Sequence, residues 1–106
     1  MTEQHSHKIQ EIQFLQQNLQ NLIYQKQAFQ AELSETQSAL NEINNSGDEV
    51  FKLIGQIMVK TAKSSVKDEL SNKEKLLNLR VKTIETQENS LREKLEESAD
   101  NPSEKE

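Results

Sequence analysis

Val50-Phe51-Lys52-Leu53-Ile54-Gly55-Gln56-Ile57-Met58-Val59-Lys60-Thr61 is the stretch on which the fold of this chain turns. Two runs of aliphatic, β-branched and aromatic residues flank Gly55-Gln56. A glycine at the first central position of a two-residue loop suits a type II′ turn, so residues 50–61 read as a β-hairpin. That register sets Leu53 opposite Met58 and Phe51 opposite Lys60. Lys52, Ile54, Ile57 and Val59 take the other face. Both faces are then mostly apolar. A lone two-stranded hairpin is marginal in water, and open edges invite another strand. The ribbon could fold back onto its own helices, but two thin helices cannot hide both faces and both edges, so cover by other chains is the preferred reading.

Helical patterns lie on either side. Ile12, Leu15, Leu19, Leu22, Lys26, Phe29, Leu33, Thr36, Leu40 and Ile43 are spaced alternately three and four apart, which is a sustained heptad seam. A helix over 9–45 would be a rod of roughly 50 Å. Asn44-Asn45-Ser46-Gly47-Asp48 ends it, with Gly47 or an asparagine suited to a left-handed closing residue. A second helix is predicted over 65–98, opened by Ser65 and Asp68 in the form of a capping box. Leu70, Leu77, Ile84 and Leu91 recur there every seven residues. Their companions three residues on are weak (Lys73, Arg80, Gln87, Lys94), with Val81 and Leu95 one residue further.

The expected fold is therefore mainly α: one antiparallel two-helix coiled coil, joined by a short β-hairpin that pairs with other subunits. The domain spans 9–98, between a flexible N-terminus over 1–8 and a disordered acidic tail over 99–106. In an antiparallel seam the residue numbers of each layer share a constant sum. A sum of 106 sets Lys26 against Arg80. A sum of 113 sets Lys26 against Gln87, Ile43 with Leu70, Phe29 with Ile84, and Leu22 with Leu91. The second avoids a like-charge layer and is preferred.

Composition supports this reading and closes off others. Of 106 residues, 32% are hydrophobic and four are Phe or Tyr, too little apolar mass for a compact globular core. Ten glutamines fall between Gln4 and Gln37, and Gly and Pro total three. A net charge of −5 provides no basic face for nucleic acid. Without cysteine there is no disulfide framework and no thiolate metal site. No apolar run reaches a membrane span, and the polar start is not a signal peptide, which points to the cytoplasm. Catalytic signatures are missing, and no cofactor is implied. His5 and His7 could grip a metal only weakly, so no metal site is assigned. Pairs such as Glu96-Glu97 belong to a solvated helix face.

Apolar residues outside the seam are left over. Ile9, Phe14, Ile23 and Tyr24 occupy non-core heptad positions. Ile9, Ile12, Phe14 and Leu15 gather near the start of the first helix, and Leu91 with Leu95 returns beside them. The group reads either as a splayed apolar patch or as simply frayed ends.

The order of parts resembles the beta-type subunit of prefoldin. The specific element is Val50 to Gly55 followed by Met58-Val59-Lys60-Thr61, set between two heptad helices. Gln25-Lys26-Gln27, Glu32-Leu33, Ala39 to Ile43, Val66 to Leu70 and Leu91 to Glu97 extend the likeness. Alpha-type subunits carry two hairpins, and one can be read here. The resemblance implies a hetero-hexamer of two alpha-type and four beta-type subunits, its body a double β-barrel of hairpins and its six tentacles coiled coils. Such complexes hold non-native proteins without ATP and deliver them to a group II chaperonin. On this reading Phe51, Leu53, Ile54, Gly55, Ile57, Met58 and Val59 serve assembly, and Ile9, Ile12, Phe14, Leu15, Leu91 and Leu95 bind substrate at the tips. The competing reading is a structural coiled-coil adaptor for one folded partner.

Overall fold

The computed structural model describes residues 2–100, with side chains from Ser6 to Ala99. Helix α1 (Thr2–Asn45) leads into strands β1 (Glu49–Ile54) and β2 (Ile57–Ala62), and helix α2 (Lys63–Asp100) follows without a break. The chain forms two compact units. Unit 1 joins α1 up to Ala28 to α2 from Val81. Unit 2 runs from Phe29 to Arg80 and contains the hairpin.

The hairpin has the expected register, with Phe51 against Lys60, Lys52 against Val59, Leu53 against Met58 and Ile54 against Ile57. Gly55 has φ 62°, and no described non-glycine residue has positive φ. A positive φ at the first central position alone is the type II′ turn, which twists with its strands. The strands reach one residue further each way than expected, through the Glu49–Ala62 pair.

All ten expected seam positions of α1, from Ile12 to Ile43, are buried or half-buried. The reason is a 3.5-residue apolar period that keeps one stripe turned toward the partner helix. Thr36 belongs to this stripe, and its hydroxyl donates to the Glu32 carbonyl at 2.8 Å. That local bond satisfies the hydroxyl within its own helix.

Element ends and the second seam differ from expectation. The helices are longer than read: α1 starts at Thr2, inside the stretch assigned as flexible, and α2 starts at Lys63. Ser65 therefore lies within the first turn of α2 and does not cap it. At the other end, Ala99 and Asp100 still belong to α2, and residues 101–106 of the expected tail lie outside the described residues.

The end of α1 is not closed by a left-handed residue. Ser46 caps it instead, its backbone N–H donating to the Ile43 carbonyl at 3.2 Å and its hydroxyl to the same oxygen at 2.8 Å. Lys63 Nζ donates to the Ser46 carbonyl at 2.8 Å, so the start of α2 holds the end of α1.

The seam companions in α2 stand four residues after Leu70, Leu77, Ile84 and Leu91. They are Glu74, Val81, Glu88 and Leu95, all buried or half-buried, while Lys73, Arg80, Gln87 and Lys94 are exposed. The leucines and Ile84 thus begin the four-residue step of each heptad rather than the three-residue step. Lys26 consequently meets Glu88 and not Gln87, with Nζ 2.7 Å from Oε1.

Candidate functional site

Unit 2 presents an apolar hairpin that none of the described residues covers. Leu53 is 69% exposed, Met58 68% and Ile57 67%, and Phe51, Ile54 and Val59 are exposed as well. Val50 alone among the apolar strand residues is buried. It lines a groove of about 360 Å³ with Ile43, Phe51 and Met58, where β1 and β2 meet the end of α1. Lys52 Nζ reaches Glu69 Oε1 on α2 at 2.7 Å, an exposed contact between the ribbon and the second helix. Gly55 has open space around it, so its positive φ, and not crowding, is what favours glycine there. The seven residues read as an assembly element therefore stand together on one small ribbon.

Unit 1 holds the residues read as a substrate-binding tip, and they do not behave alike. Ile9 and Phe14 are exposed, Phe14 at 65%. Ile12, Leu91 and Leu95 are half-buried in the seam. Leu15 is only 8% exposed and is withdrawn from the surface. It shares a crevice of about 410 Å³ with Ser98. Leu22 and Leu91 share another, of about 490 Å³, bordered by side-chain amides such as Asn18, Asn21 and Gln25. These two pairs follow the constant sum of 113.

The sequence reading passed over Glu88, which is 5% exposed and faces two cations. Arg92 donates from Nη2 to Oε2 at 2.7 Å, one helical turn along α2. Lys26 Nζ lies 2.7 Å from Oε1 as an ion pair across the helices, although that oxygen accepts no aligned hydrogen bond. The Arg92 hydrogen bond first, and the Lys26 ammonium second, hold the Glu88 carboxyl below the usual carboxylate range. One signal was available in the sequence: Glu88 and Arg92 are an i,i+4 pair in the favoured order. Leu76 and Leu79, exposed on α2 in unit 2, were also passed over.

No group of three or more His, Cys, Asp and Glu is placed to hold a metal among the described residues. His7 is exposed, and the His5 side chain lies outside the described residues. No helix among the described residues is long and apolar enough to cross a membrane.

Residues 6–105 match the family described as prefoldin subunit. The chain belongs to the prefoldin subunit family. Among its relatives, the prefoldin subunit beta of Archaeoglobus fulgidus is 40% identical over 90 residues, covering 83% of this chain and 78% of that protein. The prefoldin subunit beta of Thermococcus onnurineus is 43% identical over 84 residues, covering 77% and 72%. The crystal structure of the prefoldin beta subunit from Thermococcus strain KS-1 superposes with a TM-score of 0.85 at 37% identity, covering 91% of this chain and 86% of that one. The beta2 subunit of the same strain, at 16% identity and a TM-score of 0.71, shares the fold. The prefoldin fold of two long helices about one hairpin is thus shared by chains that have lost most of their sequence likeness.

Proposed function

We propose that this chain is a beta-type subunit of a hetero-hexameric, ATP-independent chaperone in the cytoplasm. It holds non-native proteins and passes them to a group II chaperonin. The observation that carries the assembly half is the uncovered hairpin, whose two apolar faces have a use only against the hairpins of alpha-type and further beta-type subunits. Membership of the prefoldin subunit family supports the same partners.

Holding is a matter of adaptable apolar contacts rather than a shaped pocket, because unfolded chains expose apolar segments of no common sequence. Ile9 and Phe14 offer such contacts directly. Ile12, Leu15, Leu91 and Leu95 add to them when the helix ends separate. Each contact is weak, and several subunits acting on one client combine through effective concentration. No step in this function requires catalysis or a cofactor.

The test uses the assembled complex. Deleting residues up to Leu15 should leave the native mass consistent with a full set of shortened subunits, since the hairpin is untouched. The same preparation should lose most of its protection of an aggregating metabolic enzyme. Undiminished protection of several unrelated clients by the intact, shortened complex would refute the tip mechanism. Activity toward a single folded partner only would instead indicate a structural adaptor.

A further inference from the structure

The two flanks of the helical pair in unit 1 differ in chemistry. One carries the crevice of about 490 Å³, with half-buried Leu22 and Leu91 as its floor and the amides of Asn18, Asn21 and Gln25 along its α1 rim. Among the described residues that line it, Lys94 alone is charged. The other flank carries a crevice of about 220 Å³, lined by Lys26, Glu85, Glu88 and Asn89. Helical spacing sets the two on opposite sides of the seam. On α2, Gln87, Ser90 and Lys94 fall to one side of Glu88 and Leu91, and Glu85 and Asn89 to the other.

The neutral flank continues beyond its crevice. From Ile12 to Ala31 the only charged residue is Lys26, in a chain of which 29% is charged, and Lys26 belongs to the other flank. Phe14 precedes Asn18 by one helical turn and Asn21 by two, so it stands on the same stripe of α1, 65% exposed. From Phe14 to Gln25 this stripe runs roughly 16 Å, the reach of about five residues of extended chain. The side-chain amides of Asn18, Asn21 and Gln25 make no hydrogen bond to another described residue. A primary amide both donates and accepts, which matches the N–H and C=O groups of an extended backbone. A charged segment would find one partner at most, and would lose hydration against Leu22 and Leu91.

We propose that this neutral flank takes hold of an extended, uncharged segment of a non-native polypeptide. Apolar side chains of the segment lie against Phe14 and the Leu22–Leu91 floor, and its backbone faces the amides of Asn18, Asn21 and Gln25. The flank at Lys26 and Glu88 stays free. The inference rests on the holding function proposed above, and adds to it the side of the helices and the class of segment they take.

The test uses the full chain assembled with its partner subunits, and rhodanese diluted from guanidinium chloride as the unfolded probe. Asn21→Asp and Asn89→Asp each turn one exposed amide into a carboxylate of nearly the same shape, on opposite flanks. The two variants thus differ in the place of the charge and not in its amount. The concentration of complex that halves rhodanese aggregation should rise at least about threefold with Asn21→Asp and stay at the parent value with Asn89→Asp. Circular dichroism checks that the helices persist in both. The chain has no cysteine, so Gln25→Cys and Asn89→Cys can each carry benzophenone maleimide, attached before assembly. Illumination should crosslink rhodanese severalfold more from position 25 than from position 89. A parent complex that protects no rhodanese would refute the holding function, and this site with it. Protection by the parent, with both aspartates acting alike or with equal crosslinking from the two positions, would overturn the neutral flank alone.

Discussion

In the hairpin, Leu53, Ile57 and Met58 keep about two thirds of their surface in water, whereas the most buried residues of the helical pair include Thr36, Glu88 and Ser98. The contrast is one of available partners rather than of side-chain character. Each helix finds a complementary stripe within the same chain, and whatever occupies the stripe is enclosed with it. A hydroxyl is tolerated there because its own helix supplies an acceptor, and a carboxylate because two cations converge on it. A two-stranded ribbon has two faces and two edges, and a pair of helices covers little of either. Its apolar side chains are left for another molecule.

The largest effect should come from removing the apolar character of the ribbon. Ile57→Asp with Val59→Asp should abolish the hetero-oligomer, with native mass falling to that of free subunits, while far-ultraviolet circular dichroism retains most of its helical signal. A mass unchanged from the parent would break the comparison at its root.

Paired leucine truncations sharpen it. Leu77 is 3% exposed, and Leu77→Ala should cost ~2–5 kcal/mol, seen as a lower Tm at every protein concentration. Leu53→Ala removes a side chain that the chain itself does not bury. Its effect on Tm should shrink as protein concentration rises, because it acts through assembly by mass action. The same concentration dependence for both would erase the distinction between the two regions.

The seam register can be tested by crosslinking. Leu22→Cys with Leu91→Cys should form a disulfide within one chain under mild oxidation, and Leu22→Cys with Ile84→Cys much less readily. Mass spectrometry of the oxidised chain decides. The opposite preference would shift the layers by one heptad and separate Lys26 from Glu88.

The smallest effect concerns pH. Glu88 is held below its ordinary value of 4.5 in the folded chain, so the unfolded chain takes up its proton first as pH falls. The contribution of Glu88 to stability is therefore full above the ordinary carboxylate range and fades as pH falls through the lowered folded value. Glu85, which lines the same pocket, is present in both proteins being compared. The difference in Tm between parent and Glu88→Gln should be constant from pH 7 to about pH 5 and narrow below that. A gap that widened on acidification would contradict the ion pair.

The α1 seam, the hairpin register and the turn at Gly55 were legible in the residues themselves. Each rests on a short-range rule: a 3.5-residue period over ten positions, an alternation of two, and a positive φ that glycine accepts without strain. That its own helices would leave the ribbon of residues 51–59 exposed was legible too, since counting faces requires no coordinates. What the tertiary structure decided was which neighbour of a weak position enters the seam. Gln87 and Glu88 differ by one residue, and Glu88 enters in phase with the apolar Val81 and Leu95 at the same heptad step, where it meets Lys26. The enclosure of Leu15 and the exposure of its neighbour Phe14 were, by contrast, legible in the heptad, which sets the first in the seam and the second off it. Composition fixes how much apolar surface a chain owns, but only the opposing helix determines which part of it leaves water.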